Sequence, residues 1–480
     1  MTERRPNLLL VLADDHASHA IGAYGSVVNH TPNIDAIAAA GRRVDNCLCT
    51  NAVCTPSRAS ILTGTHSHVN GVTTLHSTFD ASQPTFISQL QQAGYRTGIV
   101  GKWHLGEGPG QDPQGFDHWE VLRGQGEYVN PQLLSADGVE VAEGYVTDVL
   151  TDRAMAWVDS LDGDEPWCLL LYHKAPHRNW QPDAEHDGMY RDPIAVPNTF
   201  DDDYATRSSA AHTAAMRVAD HLNLNDLKQE PPSDLSYEEL ARWKYQRFME
   251  DYLACVASID DNVGRLTTWL RRRGDLADTV LMYSSDQGFF LGDHGWFDKR
   301  FIYEESLRMP LVVSYPNGIE PGPPVTQLVS NVDLARTVLD AAGVDAHERM
   351  QGVSFWPQLT GSSDPTQDAI YYRYYENDDK ESHVFAHYGI RTERYKLVYF
   401  YNDGLGHPGS SGRRYVPEWE MYDLHEDPDE VRNVYLDPDY RQLREELKVR
   451  LWELQAEVGD TPHPDQIRPA GAVMAQQRNR

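Results

Sequence analysis

Four short apolar runs, each ended abruptly by residues capable of chemistry, constrain this chain more than any other feature. Residues 7–12 run into Ala13-Asp14-Asp15, and 97–100 into Gly101-Lys102-Trp103-His104. Residues 168–172 run into His173-Lys174-Ala175-Pro176-His177, and 279–284 into Ser285-Asp286-Gln287-Gly288. Helix-like stretches lie between them at 32–41, with Asn33 as its cap, and at 85–94, 148–161 and 245–273. This alternation predicts an α/β domain with a largely parallel sheet flanked by helices. In such sheets ligands gather beyond the carboxyl ends of the strands, so the four polar clusters are expected to form one site.

A chain of 480 residues suits one large domain with a smaller appendage. The large one is expected over residues 1–364. Within it, 187–239 is polar, carries Asp201-Asp202-Asp203 and Pro231-Pro232, and has no strand pattern; it reads as a surface insertion, where substrate-selecting loops often sit. Composition turns to linker type at Thr360-Gly361-Ser362-Ser363-Asp364-Pro365. Beyond it, strands rich in Tyr and Val at 369–375, 384–390 and 395–401 and an amphipathic helix at 440–458 predict a small α+β domain over 365–460. Residues 461–480 have no periodicity and are expected to form an extended tail.

No window approaches the roughly 18 apolar residues of a membrane span. The net charge of −30, without any basic block, argues against nucleic acid and anionic membranes as partners. The apolar run at 8–12 meets Asp14 and Asp15 where a signal peptide would continue. Five irregularly spaced cysteines suggest reduced thiols rather than a disulfide framework. The expected location is cytoplasmic for the chain as numbered, and periplasmic or secreted where a leader has been removed. Cys47 and Cys49 precede Cys54 in a Cys-x-Cys-x4-Cys spacing, but no tetrahedral set completes a zinc site, so both read as small core residues.

The strongest local signal is Cys54-Thr55-Pro56-Ser57-Arg58, followed by Ala59-Ser60-Ile61-Leu62-Thr63-Gly64. It resembles the signature of type I sulfatases, in which the cysteine of a Cys-x-Pro-x-Arg sequence is oxidised to formylglycine by a separate generating enzyme. The resemblance extends over nearly the whole chain, through Asp14-Asp15, Lys102, His104 and Asp286 to Gly389-Ile390-Arg391-Thr392 and Met421-Tyr422-Asp423-Leu424. It implies the alkaline phosphatase superfamily fold. The segment His177-Arg178-Asn179-Trp180-Gln181-Pro182 is similar to that of carbohydrate sulfatases related to N-acetylglucosamine-6-sulfatases, which points to a small carbohydrate sulfate ester as substrate.

Sulfate ester hydrolysis needs a strong nucleophile and a way to discharge the covalent intermediate. A hydrated aldehyde supplies both, because one hydroxyl attacks sulfur and deprotonation of the other ejects sulfate. Its acidity calls for a hard cation. The resemblance assigns that ion to Asp14, Asp15, Asp286 and Gln287, with residue 54 joining them. An oxygen-only set points to Ca²⁺ or Mg²⁺ over zinc, and of the two Ca²⁺ is expected. Gln287 departs from the family, which usually has Asn or His there, and its extra methylene changes the reach of the amide oxygen. The resemblance further makes Lys102 and Lys299 the sulfate-binding cations and has Arg58 hold the nucleophile. It makes His177 the general acid, with His173 its rival, and His104 the base. His294, Arg178 and Trp180 are candidates for contacts with the substrate. Two other readings stand beside this one: a phosphonate monoester or phosphodiester hydrolase of the same superfamily, and a non-catalytic binder of sulfated ligands in which Cys54 stays a thiol.

Overall fold

The computed structural model describes residues 5–163 and 165–472. Its largest sheet has nine strands: β1 Asn7–Ala13, β2 Arg42–Arg43, β3 Arg96–Gly101, β4 His118–Leu122, β5 Gln132–Ser135, β6 Gly138–Val141, β7 Trp167–Tyr172, β8 Thr279–Ser285 and β9 Leu311–Ser314. Their order is β2-β9-β8-β1-β7-β3-β4-β5-β6. The central strands run parallel, as expected, but the sheet as a whole is mixed. β9 lies antiparallel to β8 and β2, and β5 and β6 return antiparallel beside β4. Parallel strands need both faces covered, whereas the sheet margins can be closed by short antiparallel returns.

Alternation along β1 shows how the sheet is sandwiched. Leu8, Leu10 and Leu12 belong to one hydrophobic cluster and Leu9, Val11 and Ala13 to the other. The first cluster includes residues from helices α2 (Cys54–Thr63), α3 (Phe86–Gln92) and α6 (Asp333–Ala341). The second draws on α1 (Pro32–Ala39), α4 (Val146–Asp159) and the 37-residue α5 (Tyr237–Arg273). Side chains of a strand point alternately to the two faces, so a continuously apolar run is what a three-layer sandwich requires.

Several boundaries differ from the sequence expectation for identifiable reasons. Asn33 is not the cap of α1: the N-cap position is Thr31, and the carboxylate of Asp260 on α5 accepts from Asn33 N at 3.1 Å and Ile34 N at 2.8 Å. A distant side chain thus satisfies the helix start. The long helix begins at Tyr237 rather than 245, because Ser236 and Glu239 form a capping box. The segment expected as an insertion contains three short helices, Ser209–Thr213, Val218–His221 and Leu224–Leu227.

A second, antiparallel sheet comprises β10 Ala369–Tyr374, β11 His387–Thr392, β12 Tyr395–Phe400 and β13 Glu418–Asp423, covered by α7 (Arg441–Val458). β13 was not expected, because Glu418, Glu420 and Asp423 obscure its strand pattern. The middle strand starts at His387 because Val384 still belongs to a turn, accepting from Asp378 N at 2.8 Å. After α7 the chain has no regular element up to 472, yet it is docked: His463 is buried and stacks on Tyr401, and Tyr388 donates to Gln466. Residues 473–480 of the expected tail lie outside the described residues. Among the described residues no helix is long and apolar enough to cross a membrane.

Candidate active site

Strand register aligns the ends of the four central strands. Leu12 pairs with Tyr172 and with Ser284, and Tyr172 pairs with Gly101. Asp14, Lys102, His173 and Asp286 therefore leave the sheet on one line. Gly101 is required at this turn: its φ is +116°, and a Cβ there would lie 1.9 Å from the Tyr172 carbonyl oxygen. Gly288 allows a similar approach, since a Cβ would fall 2.1 Å from the carbonyl of Glu305.

The acidic residues lie near one another in the interior, with Asp286 outside the tight group that Asp14 and Asp15 form with His177. Asp14, Asp15, Asp286 and Gln287 are all fully buried. Asp286 accepts from Asp15 N at 3.3 Å, and Gln287 Nε2 donates to Asp15 Oδ1 at 2.5 Å. Three oxygens, Asp14 Oδ1, Asp15 Oδ2 and Gln287 Oε1, are buried without a hydrogen-bond partner. Unpaired buried acceptors of this kind are costly in a protein alone and suit a hard cation, which takes oxygen ligands. Ligand atoms of Asp14, Asp15 and His177 lie within 4.8 Å of one another.

Cys54 begins α2, with its side chain buried. One turn on, Arg58 reaches Asp286 at 2.9 Å, approaches Asp14 at 3.8 Å and donates to the Lys102 carbonyl at 2.6 Å. Lys102 Nζ pairs with Asp14 and Lys299 Nζ with Asp15. Burial raises the Asp14 carboxyl, but Lys102, His177, Arg58 and Lys299 together hold it well below its ordinary value. Asp15 and Asp286, desolvated and beside other carboxylates, are pushed up to about 6 and about 7. Burial also raises the Cys54 thiol, against the pull of Lys102 and Lys299.

Residues 6–344 match the Sulfatase family. The chain belongs to that family. Its members generally use a formylglycine and a divalent metal, and residues 292–457 of this sulfatase also match the family described as N-sulphoglucosamine sulphohydrolase, C-terminal. An N-acetylglucosamine-6-O-sulfatase from Bacteroides thetaiotaomicron is 41% identical, covering 96% of this chain and 88% of its own. N-acetylglucosamine-6-sulfatase from Capra hircus is 30% identical over 76% of this chain and 65% of its own. A solved structure of a protein in complex with its substrate D-glucosamine-2-N,6-O-disulfate superposes with a TM-score of 0.90 at 40% identity, covering 96% of this chain and 100% of that one. The sulfatase is therefore a sulfuric ester hydrolase with the fold expected from its sequence.

Beside the centre lies a cleft of about 840 Å³ lined in part by Gln125, Tyr128, Lys174, His177, Arg178 and Phe297. His177 Nδ1 is 2.6 Å from the Arg178 carbonyl and its Nε2 is 3.8 Å from Asp15 Oδ2. Its rival His173 is fully buried, and neither ring nitrogen has a hydrogen-bond partner; burial pushes it down to about 3. His104 Nδ1 is 3.2 Å from Thr55 Oγ1, and His104 lines a separate cleft of about 300 Å³. Burial, then Lys102, holds both His104 and His177 well below the ordinary imidazole value.

Two candidate contact residues lie elsewhere. Trp180 is fully buried against Phe248, Tyr252 and Phe289, with the Phe248 ring 4.5 Å away, so it packs the core and cannot touch a ligand in the cleft. His294 is likewise fully buried, with Nδ1 2.9 Å from Asp202 and its ring beside Trp296 and Tyr303; it fastens the insertion to the strand-end loops. Arg178 does line the cleft, but it also forms a two-point pair with Asp226 at 3.1 and 2.7 Å, which anchors another part of the insertion. Sequence reasoning missed Gln125, which accepts from Lys102 Nζ, and Tyr128, whose hydroxyl donates to the His177 carbonyl at 2.6 Å. Neither stands in a motif. It also passed over Lys174, three residues before His177, which burial and then Lys102 bring down to about 8.

Proposed function

We propose that this sulfatase removes sulfate from a small carbohydrate ester, a 6-O-sulfated glucosamine, with residue 54 as nucleophile. The observation that carries the reading is convergence: Cys54, Arg58, Lys102 and Lys299 meet three orphaned oxygen donors beside a cleft of about 840 Å³, a size that suits a small ligand. The similarity to N-acetylglucosamine-6-sulfatases supports the sugar and the position.

Cys54, oxidised to formylglycine by a separate enzyme, would present a hydrated aldehyde at the head of α2. Asp14, Asp15, Asp286 and Gln287 would hold one Ca²⁺, which would supply positive charge to acidify a neighbouring hydroxyl and to stabilise developing negative charge. Lys102 and Lys299 bring two further cations to the same face, where sulfuryl oxygens gain charge as the ester bond breaks. Arg58 ties Asp286 to the turn carrying Lys102, so the carboxylates and the cations keep their relative positions.

His177 has its Nδ1 proton committed to the Arg178 carbonyl, which only accepts. Its Nε2 is therefore the atom that would carry a second proton to the leaving alcohol, a charged form that burial and Lys102 oppose until the substrate's anion enters and that Asp14 favours. His104, with Nδ1 at the Thr55 hydroxyl, keeps Nε2 for removal of the proton from the second hydroxyl.

Sulfate release should be measured on N-acetylglucosamine 6-sulfate, other sulfated mono- and disaccharides, nitrophenyl sulfate and a phenyl phosphonate ester. Protein made with the formylglycine-generating enzyme should carry the aldehyde on the Cys54 peptide by mass, contain calcium, and prefer the 6-sulfated amino sugar. Faster cleavage of the phosphonate would transfer the protein to the phosphonate hydrolases. An aldehyde-bearing protein inert on every ester would make it a binder.

A further inference from the structure

Every cation at the buried centre has an acidic partner: Arg58 faces Asp286, Lys102 faces Asp14 and Lys299 faces Asp15. Arg178 in the cleft has Asp226. Lys174 differs. It is 4% exposed and lines the cleft, yet among the described residues its ammonium group has no hydrogen bond and no carboxylate within ion-pair distance. Its contact is the face of Tyr128, with Nζ 4.8 Å from the ring centre. An ammonium at the cleft wall with only an aromatic face beside it keeps its three donors open to an incoming anion. Of the carboxylates around it, Glu127 and Glu381 line the cleft and are exposed, so solvent screens their repulsion of an anion, while Asp14 and Asp15 are already paired with Lys102 and Lys299.

We propose that Lys174 binds a second anionic substituent of the substrate, distinct from the sulfate ester being cleaved. The inference rests on the carbohydrate reading above. Lys174 and His177 share one turn, with His177 N donating to the Lys174 carbonyl at 3.0 Å. A sugar whose leaving oxygen meets His177 therefore places its other substituents along the wall that carries Lys174. The anion is a sulfamate on the same ring or the carboxylate of a neighbouring uronic acid. Lys174 is on this account a specificity residue, selecting doubly charged substrates without entering the bond-breaking step.

The alternative role is positional. The Lys174 ammonium braces Tyr128, and Tyr128 holds the His177 carbonyl, so on that account loss of Lys174 acts only through the acid. Three substrates separate the two: N-acetylglucosamine 6-sulfate, its 2-N-sulfated counterpart, and a disaccharide joining the N-acetylated 6-sulfate to a uronate. Lys174→Met should lower kcat/KM on one or both of the doubly charged substrates roughly 10- to 100-fold, the range of a lost hydrogen bond to a charged group, and leave the N-acetyl monosulfate within about twofold. Which of the two responds identifies the anion. Lys174→Arg should restore the preference, showing that the effect is one of charge rather than folding. Equal losses on all three substrates, or no loss on any, would overturn the proposal. Calorimetric binding to Cys54→Ala, with and without Lys174→Met, gives a readout independent of turnover. If the wild type cleaves none of these sugars but the Cys54→Ala protein still binds the doubly charged one through Lys174, the carbohydrate esterase reading fails while the anion site stands.

Discussion

The buried centre and the cleft beside it are built on different plans. At the centre, Asp14, Lys102 and Asp286 each follow a strand of one sheet, in register, and their charges are paired within an interior closed to solvent. The cleft is assembled from separate loops, including residues 125–128, 177–179 and 181, from Ala215, His221 and Asn223 of the insertion, and from Glu381 near the second sheet. Charges in a low-dielectric interior need fixed partners, because a displaced one becomes an unpaired one. Groups at a wet cleft carry no such penalty. On the proposed reading, the chemistry falls on the strand ends and substrate selection on the loops.

This contrast is broken most directly at Cys54. Cys54→Ala should reduce sulfate release to background on every substrate, while the thermal unfolding midpoint changes little because only the head group of one small side chain is removed from the start of a helix. Residual turnover above background would place the nucleophile elsewhere. His177 lies on the boundary between the two regions, facing Asp15 on one side and the cleft on the other. His177→Ala should slow the cleavage of sugar sulfates by about 10²- to 10⁴-fold, the usual worth of general acid help, and slow nitrophenyl sulfate far less. A nitrophenolate departs without a proton and a sugar alkoxide does not. Equal losses on both would take the acid role from His177 and return it to His173.

The same division explains what the sequence disclosed. Residues of the centre are legible because each follows an apolar strand within two or three positions, so local order along the chain becomes proximity in space. Asp14-Asp15, Lys102 and Asp286 carry that signal, and the Cys54–Arg58 motif lies within one helix. The cleft has no such rule. Gln125 and Tyr128 follow a strand of ambiguous pattern, and Glu381 lies far along the chain in a turn before β11. Trp180 shows the converse error. It stands beside Arg178 and Asn179, which do line the cleft, but its side chain turns into the cluster around Phe248. A motif records which residues are neighbours in sequence, not which way each one points.

Trp180 therefore tests where the cleft ends and the core begins. Trp180→Ala removes a fully buried indole and should cost about 3–5 kcal/mol of stability, seen as a lower unfolding midpoint. Relative kcat/KM among sulfated sugars, measured well below that midpoint, should keep the wild-type order. A changed substrate order with an unchanged midpoint would mean that Trp180 faces the ligand after all.

The smallest effect concerns the charge that surrounds both regions. A net charge of −30 repels a sulfated polymer over a distance set by the Debye length, about 10 Å at 0.1 M salt. A single sulfate inside the centre instead meets Lys102, Lys299 and Arg58 at short range, where salt screens little. Moderate salt should therefore raise kcat/KM on a sulfated polymer by roughly a few-fold, below the full reach of long-range steering because screening is partial, and leave a monosulfated sugar almost unchanged. The comparison must be made with the metal held saturating, since salt also weakens metal binding. If polymer and monosaccharide respond alike, the acidity is spread away from the cleft and serves only to keep the surface hydrated. Faster hydrolysis of intact polymer than of its disaccharides at low salt would defeat the idea, because it requires a cationic track that this chain does not present as any basic block in its sequence.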